Sequence, residues 1–141
     1  MYLEQYERVK RWYERLMNIN NGIPHTKNSE SYKDEVYAFF INCFHLKDWI
    51  KNDPSNNVYA DKVEKFVNSK KNLEICRKIC HGAKHLIIEH PKLDKADHSL
   101  KLGGCETIYS AKYEIEVEGI KYDAFKLATQ CMNDWKVFLG I

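Results

Sequence analysis

The sequence predicts a mainly α fold: a four- to five-helix bundle with a β-hairpin inserted before the C-terminal helix. Three observations carry that expectation. Apolar residues recur every three or four positions along most of the chain, the spacing of amphipathic helices. The stretch 36–49 (VYAFFINCFHLKDW), with Ile50 behind it, is apolar almost all the way round, as a helix covered by its neighbours requires. Between Tyr109 and Val117 the period changes to two, which is that of a strand with one buried face. At 141 residues and 44% hydrophobic, the chain suits one domain, 1–141, with one core.

Each element has its own signals. Residues 2–20 read as a helix with Tyr2, Tyr6, Val9, Tyr13 and Leu16 along one stripe, stopped by Asn20-Asn21-Gly22 and Pro24. Ser29 or Ser31 can cap the next helix, and Asp34 and Glu35 suit its first turn. The central helix, 36–52, ends at Asp53-Pro54 and should bury Phe40, Phe44 and Trp49. On a helical wheel Val36, Phe40, Cys43, Lys47 and Ile50 share one side; Ile41, His45, Asp48, Trp49 and Asn52 share the other. Asn56 or Asn57 can cap a short helix, 58–67, with Tyr59, Val63, Phe66 and Val67 inward. A further helix, 71–89, carries Leu73, Cys76, Cys80, Ala83 and Ile87 inward and stops before Pro91. The segment 91–107 has no clear period, and is long for a structureless connection. Glu118-Gly119 then reads as a two-residue turn into a short return strand, 120–122. Asp123 caps the last helix, 124–139, which turns Leu127, Ala128, Cys131, Trp135 and Phe138 inward.

Composition excludes several function classes. Lysine plus arginine is 22 against 20 aspartate plus glutamate, a net charge of +2, so only a local basic patch could argue for nucleic acid. No run of 18 apolar residues is present, and the charged start MYLEQYERVKRWYERL lacks the apolar run of a signal peptide; no membrane partner and a cytoplasmic location are expected. Five cysteines is an odd count, and buried reduced thiols fit it better than a disulfide framework.

The residues that could carry chemistry are His45 and Asp48 on the central helix and Arg77, His81, Lys84 and His85 on the helix 71–89. Three readings compete for them. In the first, His45 with Asp48 and His81 with His85 are two ligand pairs for a metal, against which Arg77 and Lys84 stand as repelling cations. The expectation is no metal and no cofactor. In the second, Asp48 holds His45 or His85 in one tautomer and Lys84 or Arg77 stabilises an anion. That arrangement suits RNA cleavage, in which a 2′-hydroxyl attacks its own phosphate and a histidine takes the proton. His45, Asp48, Lys84 and His85 are then the catalytic candidates, with Arg77, His81 and Trp49 as binding residues. In the third, His45 and Asp48 are a satisfied structural pair that fixes the register of two helices. The metal reading sets its two ligand pairs on facing helices, and the helices 36–52 and 71–89 are expected to face each other, bringing His45 or Asp48 close to Lys84 or His85. Asp48, following an apolar run, is expected to be at least partly buried and to pair with Lys84, since Lys47 points about 100° away around the helix. Cys76 and Cys80 could ligate zinc with His81, although their place in an apolar stripe favours core packing. The tyrosines of the first helix could stack on bases, but core packing suits them better.

The run Cys43-x-His45-Leu46-Lys47-Asp48-Trp49, followed by Cys76-x3-Cys80-x-Gly82-x-Lys84-His85, resembles a group of uncharacterised small bacterial and prophage-type proteins. They share an H-x-x-D-W helix and a later N-G-x-K-H helix. His81 stands here where that group usually has asparagine. The chain resembles, more loosely, the HEPN superfamily of small helical domains in bacterial toxin and phage-defence systems. That resemblance implies RNA binding or cleavage and a homodimer, since its nucleases place an arginine and a histidine on one helix, often at a dimer interface. Those two residues have four to six between them, whereas Arg77 to His81 leaves three and Arg77 to His85 leaves seven. The expected function is an HEPN-like module of phage–host conflict that binds or cleaves RNA, with catalysis left open. The rival is a non-catalytic protein-binding module, an immunity protein or a phage-encoded inhibitor.

Overall fold

The computed structural model describes residues 1–21, 23–24, 29–55, 57–85, 92–103 and 106–141, with side chains described outside 23–31, 57–58, 83–85, 92–103 and 106–111. The chain is mainly helical, with an antiparallel hairpin before the C-terminal helix. The order is α1 (Tyr2–Asn21), β1 (Ile23–Pro24), α2 (Ser29–Asn52), α3 (Asn57–Ala60), α4 (Val63–Ser69), α5 (Lys71–His85), β2 (Lys92–Gly103), β3 (Glu106–Val117), β4 (Ile120–Asp123) and α6 (Ala124–Leu139).

α2 is the central helix, and α1, α4, α5 and α6 pack on it. Val36, Phe39, Phe40, Cys43, Phe44, Leu46 and Ile50 are buried along it. It is not covered all round. His45, Asp48, Trp49 and Asn52 are exposed, so the second side of the wheel faces solvent in the C-terminal half of the helix. Trp49, expected at the centre, is 36% exposed. The wheel already separated these residues from the core side, and the density of apolar side chains in the first two turns hid the split. α2 also begins at Ser29 rather than 36, with Tyr32 buried in its first turns.

The other elements follow local chemistry. α1 buries Gln5, Tyr6, Val9, Leu16 and Ile19, and its first N–H groups lie at a helix start with no partner inside the helix. Asp53, beyond the end of α2, supplies one: its Oδ2 accepts from the Tyr2 N–H at 2.9 Å, and its Oδ1 accepts from Ser55 Oγ at 2.6 Å and Ser55 N at 2.9 Å. The expected helix 58–67 is broken into α3 and α4 by a turn at Asp61-Lys62. α6 has the predicted bounds, because both ends are chemically marked: the Asp123 side chain accepts from Lys126 N at 2.8 Å, and Gly140 closes the helix at φ 70°. Trp135 on α6 is fully buried.

β3 is the central strand of the sheet. It pairs with β2 along one edge, and with β1 and β4 along the other, all antiparallel. Tyr113, Ile115 and Val117 are buried against α1 and α6 while Lys112 is exposed and Glu114 and Glu116 are half-buried, so the predicted alternation holds. The β3–β4 turn is Glu118-Gly119, with φ of 52° and 79°, the paired positive values of a tight type I′ hairpin.

The segment 91–107, which shows no period in the sequence, supplies β2. The reason is a bulge. Leu93 pairs with Ile115 and Lys95 with Tyr113; then the register shifts between Lys95 and Asp97, and Leu100 pairs with Tyr109 and Leu102 with Thr107. Odd positions of β3 are thus met by odd positions of β2 before the shift and even ones after it. One inserted residue inverts the parity, and the alternation cancels when read as a single run.

Candidate functional site

The helices carrying the sequence-predicted residues do face each other. Cys76 Sγ on α5 donates to the Phe40 carbonyl of α2 at 3.3 Å, His45 Nε2 lies 3.9 Å from Cys80 Sγ, and the His81 ring meets the Phe44 ring edge-to-face at 5.6 Å. His45 and His81 therefore flank one seam, both exposed to solvent. Asp48 and Arg77 are engaged elsewhere. The Asp48 side chain is 53% exposed rather than partly buried, and its carboxylate lies 3.7 Å from Lys47 Nζ. The flexible lysine stem reaches back across the angle that separates the two Cα positions, and the ammonium also meets Glu64 at 3.3 Å. An exposed carboxylate needs no buried cation, so the reason for pairing Asp48 with Lys84 is gone. Arg77 is a fork on Glu74, one turn earlier, with Nε at 3.1 and 3.0 Å from the two carboxylate oxygens and Nη2 on Oε1. This arginine holds the Glu74 carboxyl below its usual range. The side chains of Lys84 and His85 lie outside the described residues; their backbone belongs to the last turn of α5.

The cations of α2 and α5 beside the seam are largely neutralised, by carboxylates of α4, α5 and the β3–β4 turn. Lys51 and Lys47 both reach Glu64, at 3.1 and 3.3 Å, and hold its carboxyl below the usual range, while Lys78 meets Glu118 at 2.9 Å. Cys76 lies deeper, in the core, and burial pushes its thiol well up, so it stays protonated.

A different surface keeps its charge. α1 carries Arg8, Arg11 and Arg15 at spacings of three and four, with Trp12 between them, so all four lie along one side of the helix. They line an open groove of about 510 Å³ with Glu14 and Asn18, three arginines against one glutamate. The guanidinium of Arg15 lies over the Trp12 ring, 4.8 Å from its centroid, and that of Arg8 lies over Trp49 at 5.4 Å. The stacking joins α1 to the exposed end of α2. Gln5 fixes the crossing: it is buried, and its Nε2 donates to the Asn42 carbonyl of α2 at 3.0 Å while its Oε1 accepts from Arg8. Arg8 has a second, looser partner in Glu4 at 3.6 Å, and Arg15 one in Glu35 at 3.9 Å. Arg11 is exposed and makes no ion pair among the described residues.

The tyrosines of α1 are used in the core. Tyr6 is buried, and Tyr13 stacks on Phe125 at 5.5 Å and shares a hydrogen bond with Thr129 Oγ1 at 2.9 Å. The sequence signal for the groove was the arginine spacing around Trp12, on the flank of the same helix. Beside the groove, Met1, Trp49 and Pro54 with Asp48, Asn52 and Asp53 line a second hollow of about 430 Å³.

Comparison with protein-family models, curated proteins and solved structures finds no match for the chain. No helix among the described residues is long and apolar enough to cross a membrane.

Proposed function

We propose that the chain is a helical RNA-binding module, HEPN-like in kind and suited to phage–host conflict, whose RNA surface is the α1 groove. The observation that carries this reading is the row Arg8, Arg11, Trp12 and Arg15, with Trp49 at its end. Such a surface meets both needs of a single-stranded ligand. Guanidinium groups neutralise phosphates, and guanidinium and indole planes stack on unpaired bases. Binding is favoured over cleavage, because Arg77 is committed to Glu74 and Asp48 to Lys47. The resemblance to HEPN domains supports an RNA-directed helical module; its arginine–histidine spacing is not met.

The test is fluorescence anisotropy of a short labelled single-stranded RNA across a salt series. Three phosphate contacts predict a log–log salt slope of about −2, or about a twentyfold loss of affinity between roughly 50 and 200 mM salt. Arg11→Gln should reduce the slope by about 0.7, and Arg77→Gln should leave it unchanged. Absence of binding at low salt would overturn the reading. The rival is a protein-binding module, and the hollow beside Trp49 supports it, with Met1 71% and Leu3 52% exposed nearby in sequence. It predicts that no RNA binds and that Trp49→Ala abolishes capture of a defined protein partner.

A further inference from the structure

The most unusual chemical feature of the core lies away from the groove. Cys43 of α2, Cys76 of α5 and Cys131 of α6 converge with their sulfurs all within 4.8 Å of one another. All three residues are fully buried. Three cysteines separated by 33 and 55 residues carry no sequence motif; only the packing of three helices brings them together. Two of the thiols have acceptors, Cys76 the Phe40 carbonyl at 3.3 Å and Cys131 the Asn72 carbonyl at 3.4 Å.

A second observation concerns Trp135. Its indole Nε1 is buried, and the group it meets is the Cys43 sulfur, whose pKa it lowers as a weak donor. A buried N–H with so weak an acceptor calls for an explanation. A neutral thiol is a weak acceptor, whereas a sulfur bonded to a metal or metalloid carries the electron density that an N–H next to it can use.

We infer that Cys43, Cys76 and Cys131 form a three-sulfur site for a trivalent thiophilic centre of the arsenic(III) class. The choice among soft ions follows from charge. Thiolate sulfur selects soft centres in general. Zinc in a structural site takes four ligands, and the described residues offer a cluster of three. Copper(I) or a divalent ion on three thiolates leaves a net negative charge in a dry core, and the neighbouring ionisable group, Asp134, is itself acidic. Arsenous acid avoids the problem. It is neutral, and it condenses with the three thiols: three As–O bonds break, three As–S bonds form, and each thiol proton leaves on a hydroxide as water. The proton of Cys43 leaves the most readily, because, against the rise that burial causes, hydrogen bonds from Cys131, Cys76 and Trp135 lower its pKa. Nothing is oxidised or reduced, and the product carries no charge into the core. The size is also suitable. Bonds of the roughly 2.3 Å typical of metal thiolates, at the near-right angles that the arsenic lone pair imposes, place the three sulfurs about 3.4 Å apart, so sulfurs now within 4.8 Å of one another need to draw in by at most about 1.4 Å. The product would tie α2, α5 and α6 together at the centre of the bundle.

The experiment uses the full chain, reduced with a phosphine, and arsenite as the probe. Native mass spectrometry should show one arsenic per chain with loss of three waters, and X-ray absorption should count three sulfur neighbours. The melting temperature should rise, and indole fluorescence should change as Trp135 gains a stronger acceptor. Cys43→Ala and Cys131→Ala should abolish the one-to-one adduct; Cys80→Ala and Cys105→Ala should keep it. Because a core cysteine variant could fail to fold, the sulfur count on the unaltered chain stands by itself. Two sulfur neighbours, no adduct, loss of the adduct in Cys80→Ala, or stoichiometric zinc bound in preference to arsenite would overturn the proposal.

Discussion

The α2–α5 seam and the α1 groove both present cations, histidines or aromatic rings at helical spacing, and they differ in what has become of the charge. At the seam, Arg77 is held by Glu74, Lys78 by Glu118, and Lys47 lies between Asp48 and Glu64. On α1, Arg11 is uncovered, while Arg8 and Arg15 lie against tryptophan rings with only the looser carboxylates Glu4 at 3.6 Å and Glu35 at 3.9 Å. Spacing says which residues are neighbours. It does not say whether a neighbour has already neutralised them, and a cation so engaged has little to offer a phosphate.

The comparison can be broken first at its foundation, since both surfaces depend on α2. Phe40 and Trp135 are fully buried, and alanine at either should cost about 3–5 kcal/mol in chemical denaturation. A loss below about 1 kcal/mol would mean that α2 is not the packing centre. A smaller effect tests what positions the groove. Gln5→Ala leaves Arg8 with only its looser partner Glu4 and removes the link to Asn42, and should cost about 1–3 kcal/mol. The same change should weaken RNA binding, whereas a seam-only site would be indifferent to it.

Acid sharpens the contrast from the other side. Asp53 has its pKa lowered by the Ser55 hydroxyl and the Tyr2 and Ser55 N–H groups; Lys51 lowers Glu64, and Arg77 lowers Glu74. A folded-state pKa below the unfolded one gives stability that is present above the unfolded value and lost as pH falls through the folded one. Melting temperature should therefore hold from neutrality down to about pH 5 and fall below about pH 4. Asp53→Asn should flatten part of that fall. A loss of stability centred near the pKa of histidine would point instead to the seam. The smallest effect is expected at Asp48. Its loose pair with Lys47, exposed on the aspartate side, should show a coupling of less than about 1 kcal/mol in a double-mutant cycle, and Asp48→Ala should be nearly neutral.

Much of the architecture was legible because its signals are local. The last helix is bounded by Asp123 and by the glycine after Leu139, and the β3–β4 turn by Glu118-Gly119; each is specified by a residue and its immediate neighbours. The meeting of α2 with α5 was legible from two apolar stripes. β2 was not, because one bulge between Lys95 and Asp97 inverts the parity on which the reading depends. Trp49 and Asp48 were misplaced because an apolar run says nothing of where the covering helices end. Of the candidate site, His45 and His81 come to one seam as spacing implied, while the arginine row of α1 was visible but overshadowed by the tyrosines of the same helix. The three core cysteines were beyond reach, since no spacing reports a convergence made by three separate helices.

The RNA surface proposed is the α1 groove and not the seam. Photo-crosslinking tests this directly, with a single-stranded RNA carrying thiouridine and the adducts mapped by mass spectrometry. Adducts should concentrate on residues 8–15 and on Trp49, the residues that line or border the groove. Adducts confined to residues 77–85 of α5, or scattered evenly over the lysines of the surface, would contradict the account.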